Sequence, residues 1–557
     1  MKNGIKKIFT GASFLASCSV LAKILGALYR IPLTTTLGAE GMGLYQMVYP
    51  VYTLLITLCS GGLTVAVAKT VSSAYANGDG KGAVRFCKIA CVGFTIISSV
   101  LALILVVFAL PLSSLQGNKT AGWAYFALAP SIVLTSVSSC LRGYCQGREN
   151  MFPTAVSQIT EQIVKLSLGL FLAQSLSNFG VEWAVVGALI GVSTSELFCL
   201  VFLLFAFKFQ LGKRKKIKTK KGNGVVRATS FLPSSAEFSN ETVLIDAGIN
   251  ASAIAPERSL SALSVKQTIL NLIKSGIPVA YGALVLPLTA VADSLLVVNL
   301  LTYGGQTTSS ATALFGLYTG AVMTIINLPA VVLGSFSTVL LPVVAKKGAK
   351  ARDDIAFTMK AVVVVAVVLA LCLAVFSDEI ISFLYGEGVG VTFLPIAKIL
   401  LSIGSVSVVC VAIVQVCTAS LQGFSMSSRP AVNLAFGGVI KVGVTVVGLL
   451  VFGIYGAAIG SVACYVFTAL VDYVSLNKTL KARGERQIKL NLKSLILPTA
   501  LFAIVGFVLK ALLFSLGAVL RALIAGAICT VIFILATYYS KYFSAVQKRK
   551  IGSFFQH

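Results

Sequence analysis

Residues 141–166, LRGYCQGRENMFPTAVSQITEQIVKL, lead from one long apolar run into the next, and the second run carries Glu161 and Lys165 in its interior. A charge at the centre of a membrane helix costs roughly 2.5–3.5 kcal/mol on insertion scales, so these two residues require a partner or a function. Gln158, Glu161, Gln162 and Lys165 follow the i, i+3, i+4, i+7 pattern and share one helical face, with Ile159, Ile163, Val164 and Leu166 on the others. Two readings follow. The stripe is the polar wall of a water-filled cavity, or Glu161 and Lys165 form an intrahelical ion pair that locks this helix to a neighbour.

The surrounding chain decides the fold class. Of 557 residues, 57% are hydrophobic and 11% charged, with mean hydropathy +0.93. The apolar residues come in blocks of about 20, the length that crosses hydrocarbon. An all-α polytopic membrane protein follows, with about fourteen spans predicted near 8–30, 44–68, 86–111, 122–145, 154–176, 183–207, 268–300, 312–342, 358–377, 393–421, 431–452, 456–476, 495–515 and 519–540.

The net charge of +27 falls mainly in alternate loops, among them Lys81, Arg85 and Lys88; Lys346, Lys347, Lys350 and Arg352; and Lys478, Lys481, Arg483, Arg486, Lys489 and Lys493. The basic balance therefore reads as topology, with both termini cytoplasmic, and nucleic acid is excluded as the partner. The longest interruption, 208–266, opens with QLGKRKKIKTKKGNG and reads as a cytoplasmic linker whose cluster Lys213–Lys221 faces anionic lipid headgroups. Most of the twelve cysteines sit within apolar spans, no CxxC occurs and the one histidine is His557, so no metal site is expected. The first apolar segment runs straight into further spans and lacks a small-residue cleavage site, so it reads as a span rather than a signal peptide.

The two halves repeat. Gly43-Leu44-Tyr45 matches Gly316-Leu317-Tyr318, Val65–Lys69 matches Pro342–Lys346, and Leu141-Arg142-Gly143-Tyr144 matches Leu421-Gln422-Gly423-Phe424, at offsets of 273, 277 and 280. Six spans per copy is an even number, so the copies are parallel, an arrangement that transporters use to place a substrate path between two lobes. The expected organisation is an N-terminal six-helix lobe (1–207), the basic linker (208–266), a second six-helix lobe (267–477), and two extra helices with a tail (478–557).

The segments AKILGALYRIPL (22–33), GAEGMGLYQMVYP (38–50) and LRGYCQGRENMFPTAVSQITEQIVK (141–165) resemble the stage V sporulation protein B branch of the multidrug, oligosaccharidyl-lipid and polysaccharide exporter superfamily. The resemblance covers essentially the whole chain. It implies a flippase of the cytoplasmic membrane of a Gram-positive spore former, moving an undecaprenyl-diphosphate saccharide such as lipid II for cortex peptidoglycan, alongside cell-wall synthesis proteins. Lipid II flippases carry two arginines in a first-helix motif like SRVLGFAR. Here the matching stretch offers Lys23 and Arg30, and Leu55, Ile56 and Thr57 stand where second-helix arginines are expected.

Candidate substrate-binding residues are Lys23, Arg30, Gln158, Glu161, Gln162, Lys165, Lys274 and Lys441, a cationic set suited to a diphosphate headgroup. Lys441 is the repeat counterpart of Lys165. Arg30 has the alternative of snorkelling to the outer interface. Asp293, Glu196 and Glu161 are candidates for a coupling Na+ or H+, with the membrane potential as the other driving force. No cofactor and no catalytic set is expected, since no GxxxxGK[ST] or Ser-His-Asp arrangement occurs. The chain thus reads as a transporter rather than an enzyme. A cation-coupled multidrug antiporter of the same fold, and a membrane glycosyltransferase or scaffold supported by the acidic residues Asp378, Glu379 and Glu387, remain as alternatives.

Overall fold

Hydrocarbon offers no hydrogen-bond partner to a backbone amide, so a chain this apolar must satisfy its N–H and C=O groups within helices. The computed structural model describes residues 2–212, 265–386, 390, 392–540 and 542, and no strand occurs among them. The linker cluster Lys213–Lys221 and Glu387 lie outside the described residues.

The helices are α1 (Lys2–Ser60), α2 (Leu63–Ala76), α3 (Gly80–Val107), α4 (Ala109–Leu115), α5 (Gly122–Gly147), α6 (Phe152–Leu176), α7 (Val181–Gly212), α8 (Val265–Tyr303), α9 (Thr308–Gly316), α10 (Met323–Lys347), α11 (Arg352–Val375), α12 (Ser377–Tyr385), α13 (Leu394–Gly404), α14 (Val406–Gly423), α15 (Ser428–Phe452), α16 (Tyr455–Ala482), α17 (Ile496–Leu512) and α18 (Ala518–Tyr539). Among the described residues, 11 helical stretches are long and apolar enough to cross a membrane. Two of them, Ser17–Ala76 and Thr308–Val375, run for 60 and 68 residues. At 1.5 Å per residue each is about three times the ~30 Å hydrocarbon thickness, and each holds two of the spans read from the sequence. α6, its apolarity diluted by the polar stripe, falls outside the eleven. Nine single stretches, two double ones and α6 together account for the fourteen.

The first double stretch turns back on itself. Gly38 breaks α1 with φ 68° and ψ −179°, a conformation open to a residue without Cβ. Arg30 and Tyr49 would stand about 28 Å apart on a straight helix, yet the Arg30 guanidinium lies 5.9 Å from the centre of the Tyr49 ring. The helix before Gly38 and the helix after it are thus two neighbouring spans.

The chain divides into two compact units, 1–302 with 306–313, and 303–305 with 314–557. In the first, Val67, Val71, Phe86, Cys87, Tyr144 and Leu203 form a core in which buried cysteines act as small hydrophobes. α8 groups with this unit. The Gln116 amide donates to Met47 O (2.7 Å) and Ser294 Oγ (3.0 Å) and accepts from Tyr125 Oη (2.8 Å), while Asn299 Nδ2 donates to Leu115 O (2.7 Å). These bonds hold the C-terminal half of α8 against α1, α4 and α5.

In the second unit α17 and α18 pack on α11 and α12 through Val363, Phe376, Phe502, Cys529 and Phe533. Buried Glu379 lies 3.2 Å from Lys510 Nζ and 3.1 Å from Arg521 Nη2, and Asp378 lies 2.7 Å from Lys510 Nζ and 3.5 Å from Lys398 Nζ. Asp378 and Glu379 therefore fasten the last two helices.

The repeat is visible inside each unit. Gly143 of α5 lies so close to α2 that a Cβ would meet Thr64 O at 2.5 Å and Val67 Cβ at 2.9 Å. A Cβ at Gly423 of α14 would meet Val344 Cβ of α10 at 2.7 Å. The second and third sequence landmarks thus touch each other in both copies. Beyond each of these helices the chain turns through a left-handed residue, Glu149 (φ 60°) and Ser425 (φ 61°). The same backbone bonds close the two turns: Asn150 N to Cys145 O (3.0 Å) and Met426 N to Leu421 O (2.9 Å).

Candidate functional site

α6 delivers its polar stripe to the first unit, and the stripe meets different partners along its length. Ser19 Oγ of α1 donates to Gln158 Oε1 at 2.9 Å. One turn on, Arg142 Nη2 of α5 donates to Glu161 Oε2 at 2.9 Å, and the same guanidinium reaches Ser157 Oγ (3.1 Å) and Cys199 Sγ (3.1 Å). Gln162 Nε2 donates to Glu161 Oε1 at 3.2 Å, and its carbonyl packs against Gly26, where a Cβ would stand 2.9 Å away. Gly26 thereby lets α1 approach the stripe.

Lys165 does not pair with Glu161. Its ammonium lies over the rings of Tyr49 (5.2 Å) and Tyr29 (5.6 Å) and reaches Tyr49 Oη at 3.4 Å. Tyr45 stacks on Tyr49 at 5.3 Å. Arg30 covers the same Tyr49 ring. Aromatic faces attract cations by about 0.5–2 kcal/mol, more as water is excluded, so two positive side chains converge on one tyrosine cluster. The intrahelical ion pair considered from the sequence is replaced by the Arg142–Glu161 pair, because α5 brings a cation to Glu161 while α1 brings rings to Lys165.

Glu196 of α7 is buried, and its Oε2 has no hydrogen-bond partner among the described residues. Oxygens of Glu161 and Glu196 and the Cys199 sulfur lie within 4.8 Å of one another. Two carboxylates and a thiol are a possible ligand set for a cation, but the Arg142 guanidinium already stands among them as a fixed positive charge.

Of the remaining candidates, Lys23 is half-buried on α1, seven residues before Arg30. Asp293 is buried on α8, next in sequence to Ser294, whose hydroxyl accepts from Gln116 Nε2 at 3.0 Å, and lies away from the stripe in sequence. The side chain of Lys274 lies outside the described residues. Lys441, on α15, belongs to the second unit. There Asp472 of α16 is fully buried and accepts from Asn433 Nδ2 at 2.7 Å. Asp472 stands 276 residues after Glu196, the same offset that relates Lys441 to Lys165 and Ser425 to Glu149. Sequence reading passed over Arg142, the tyrosines and Asp472. The spacing of Tyr45, Tyr49 and Tyr52 along one helical face was the available signal.

The polysaccharide biosynthesis protein family matches residues 8–226, and the lipid II flippase MurJ family matches residues 308–527. The chain is related to both families. Stage V sporulation protein B of Bacillus subtilis (strain 168) is 27% identical over 518 residues, covering 90% of this chain and 88% of that protein. Among solved structures, the inward closed conformation of lipid II flippase MurJ superposes with TM-score 0.67 at 15% identity, covering 94% of this chain and 98% of the other. An inward-facing multidrug resistance MATE family transporter of the MOP superfamily gives TM-score 0.60 at 14% identity, covering 85% and 98%. At these identities the structural likeness establishes the fold, an all-α multi-pass membrane protein shared by flippases and drug exporters.

Proposed function

We propose that this relative of the two families moves a lipid-linked saccharide precursor of the undecaprenyl-diphosphate type across the cytoplasmic membrane, and that it acts as a transporter rather than an enzyme. The observation that carries the reading is the pair of cations, Arg30 and Lys165, gathered on Tyr49 while Glu161 is engaged elsewhere. A carboxylate beside Lys165 would cancel its charge; tyrosine faces hold it in place and leave it positive. Such a group suits the diphosphate that links saccharide to lipid, with Arg gripping oxygens in a fork and Lys acting as a point charge. Lys441 supplies the equivalent charge in the second copy of the repeat. Both termini are cytoplasmic in this proposal, following the loop charges, and the coupling cation, Na+ or H+, is carried by Glu196 or Asp293, since Glu161 is already paired with Arg142.

The test is reconstitution into vesicles with a labelled undecaprenyl-diphosphate saccharide, scoring its appearance on the far leaflet. Protein-dependent exposure that is lost in Lys165→Ala supports the proposal. Export of an organic cation with no effect on the lipid would overturn it in favour of the antiporter, which the buried acids Glu196 and Asp472 favour.

A further inference from the structure

Between α16 and α17 the chain crosses one end of the second unit as a strap, residues 483–491, and the strap is anchored by its backbone. Ile488 is buried, at 2% exposure. Its N–H donates to Asn477 Oδ1 (2.8 Å), and its carbonyl accepts from Asn477 Nδ2 (3.3 Å) and from the Tyr473 hydroxyl. Arg352 donates to Arg486 O and Gln487 O, both at 3.2 Å, which ties the strap to the start of α11.

Of the exposed basic side chains here, Arg486 and Lys489 belong to the strap, Lys478 and Lys481 to the end of α16, and Lys493 to the turn that follows. Lys478, Lys481, Arg486, Lys489 and Lys493 are exposed, and none of them has an acid within ion-pair distance among the described residues. Lys346 and Lys350 of the α10–α11 turn are exposed at the same end. The nearby acids Asp353 and Asp354 are already paired, with Arg352 (2.6 Å) and Lys347 (2.7 Å). Immediately after the strap, Leu492, Ile496 and Leu497 expose 50%, 66% and 68% of their surface at the point where the chain re-enters a membrane-spanning helix. Cations followed at once by bare apolar side chains describe a surface at headgroup depth, where the available anions are lipid phosphates.

We propose that the strap is a built binding site for anionic phospholipid headgroups, its backbone fixed by Asn477 and Arg352 and its charge supplied by Arg486, Lys489 and Lys493 together with Lys478 and Lys481. General attraction of basic loops to an acidic leaflet depends on charge alone. A built site also depends on the anchors that hold the charges together.

The full-length protein, purified in detergent, is titrated with phosphatidylglycerol, and retained lipid is counted by native mass spectrometry. The wild type is expected to show saturable retention. Replacing Arg486, Lys489 and Lys493 together by Gln should weaken it on the order of 100-fold, since each juxtamembrane cation contributes roughly fivefold. Asn477→Ala, which leaves every charge in place but frees the strap, should weaken retention by at least tenfold while thermal stability shows that the helices remain folded. Equal retention by Asn477→Ala and wild type, or retention of phosphatidylcholine as tight as that of phosphatidylglycerol, would overturn the proposal.

Discussion

Arg142 and Glu161 face each other across α5 and α6 with Nη2 and Oε2 2.9 Å apart, and their side chains retain 13% and 20% of their exposure. Removing one end strands a mostly buried charge. Arg142→Gln is expected to destabilise by about 3 kcal/mol, the lower end for buried pairs because some exposure remains. Arg142→Gln combined with Glu161→Gln should recover most of that loss in thermal unfolding. A double variant as unstable as the single one would show that the pair is not the unit.

Lys165→Ala should abolish transport with membrane abundance near normal, and Lys165→Arg should keep part of the activity. Tyr49→Phe retains the ring face and should transport at close to the wild-type rate, whereas Tyr49→Leu should not, losing a cation–π contact worth about 0.5–2 kcal/mol. Full transport by Tyr49→Leu would remove the tyrosine face from the argument.

Gly143→Ala and Gly423→Ala place a methyl against the neighbouring helix at equivalent points of the repeat. Each is expected to cost about 1–3 kcal/mol by overpacking. Thermal midpoints that fall for one variant and not the other would contradict the equivalence of the two contacts.

Asp378 lies outside the spans. Burial pushes its pKa upward, but the hydrogen bond and charge of Lys510, aided by Lys398, outweigh that and hold the carboxyl below its ordinary value. A depressed folded pKa contributes stability that is present above the unfolded value and is lost as pH falls through the folded one. The advantage of wild type over Asp378→Asn should therefore be constant above about pH 4 and shrink on further acidification. Thermal midpoints at a series of pH values measure it, and an advantage that grows with acid would refute the assignment.

Topology is checked with reporter cysteines in a cysteine-free background. Exposed Thr120 and Gln306 should label from outside in intact cells, and exposed Lys481 and Lys489 only after permeabilisation. External labelling at Lys489 would reverse the orientation proposed here.

Much of the fold was legible because its cause is local. Runs of about 20 apolar residues become helices wherever hydrocarbon leaves the backbone no other partner. The repeat was legible at three short landmarks, of which the last two prove to be halves of one helix contact, Gly143 on Val67 and Gly423 on Val344. The packing of α8 was not. α8 follows the linker in sequence and yet is held to the first unit by Gln116 and by Asn299, polar contacts whose partners are more than a hundred residues away.

Sequence alone determined the membrane class, the span count, the relation to the exporter families and the polar stripe on α6, because each depends on composition or on spacing along one segment. Only the tertiary structure decided which charge meets which. Helical spacing made Lys165 the nearest cation to Glu161, but α5 supplies Arg142 instead, and the turn at Gly38 brings Tyr29, Arg30 and Tyr49 to Lys165. Ion pairs in a membrane protein are chosen by which helices touch, and the energy of leaving a charge unpaired in a medium of low dielectric outweighs the small preference of neighbours one turn apart.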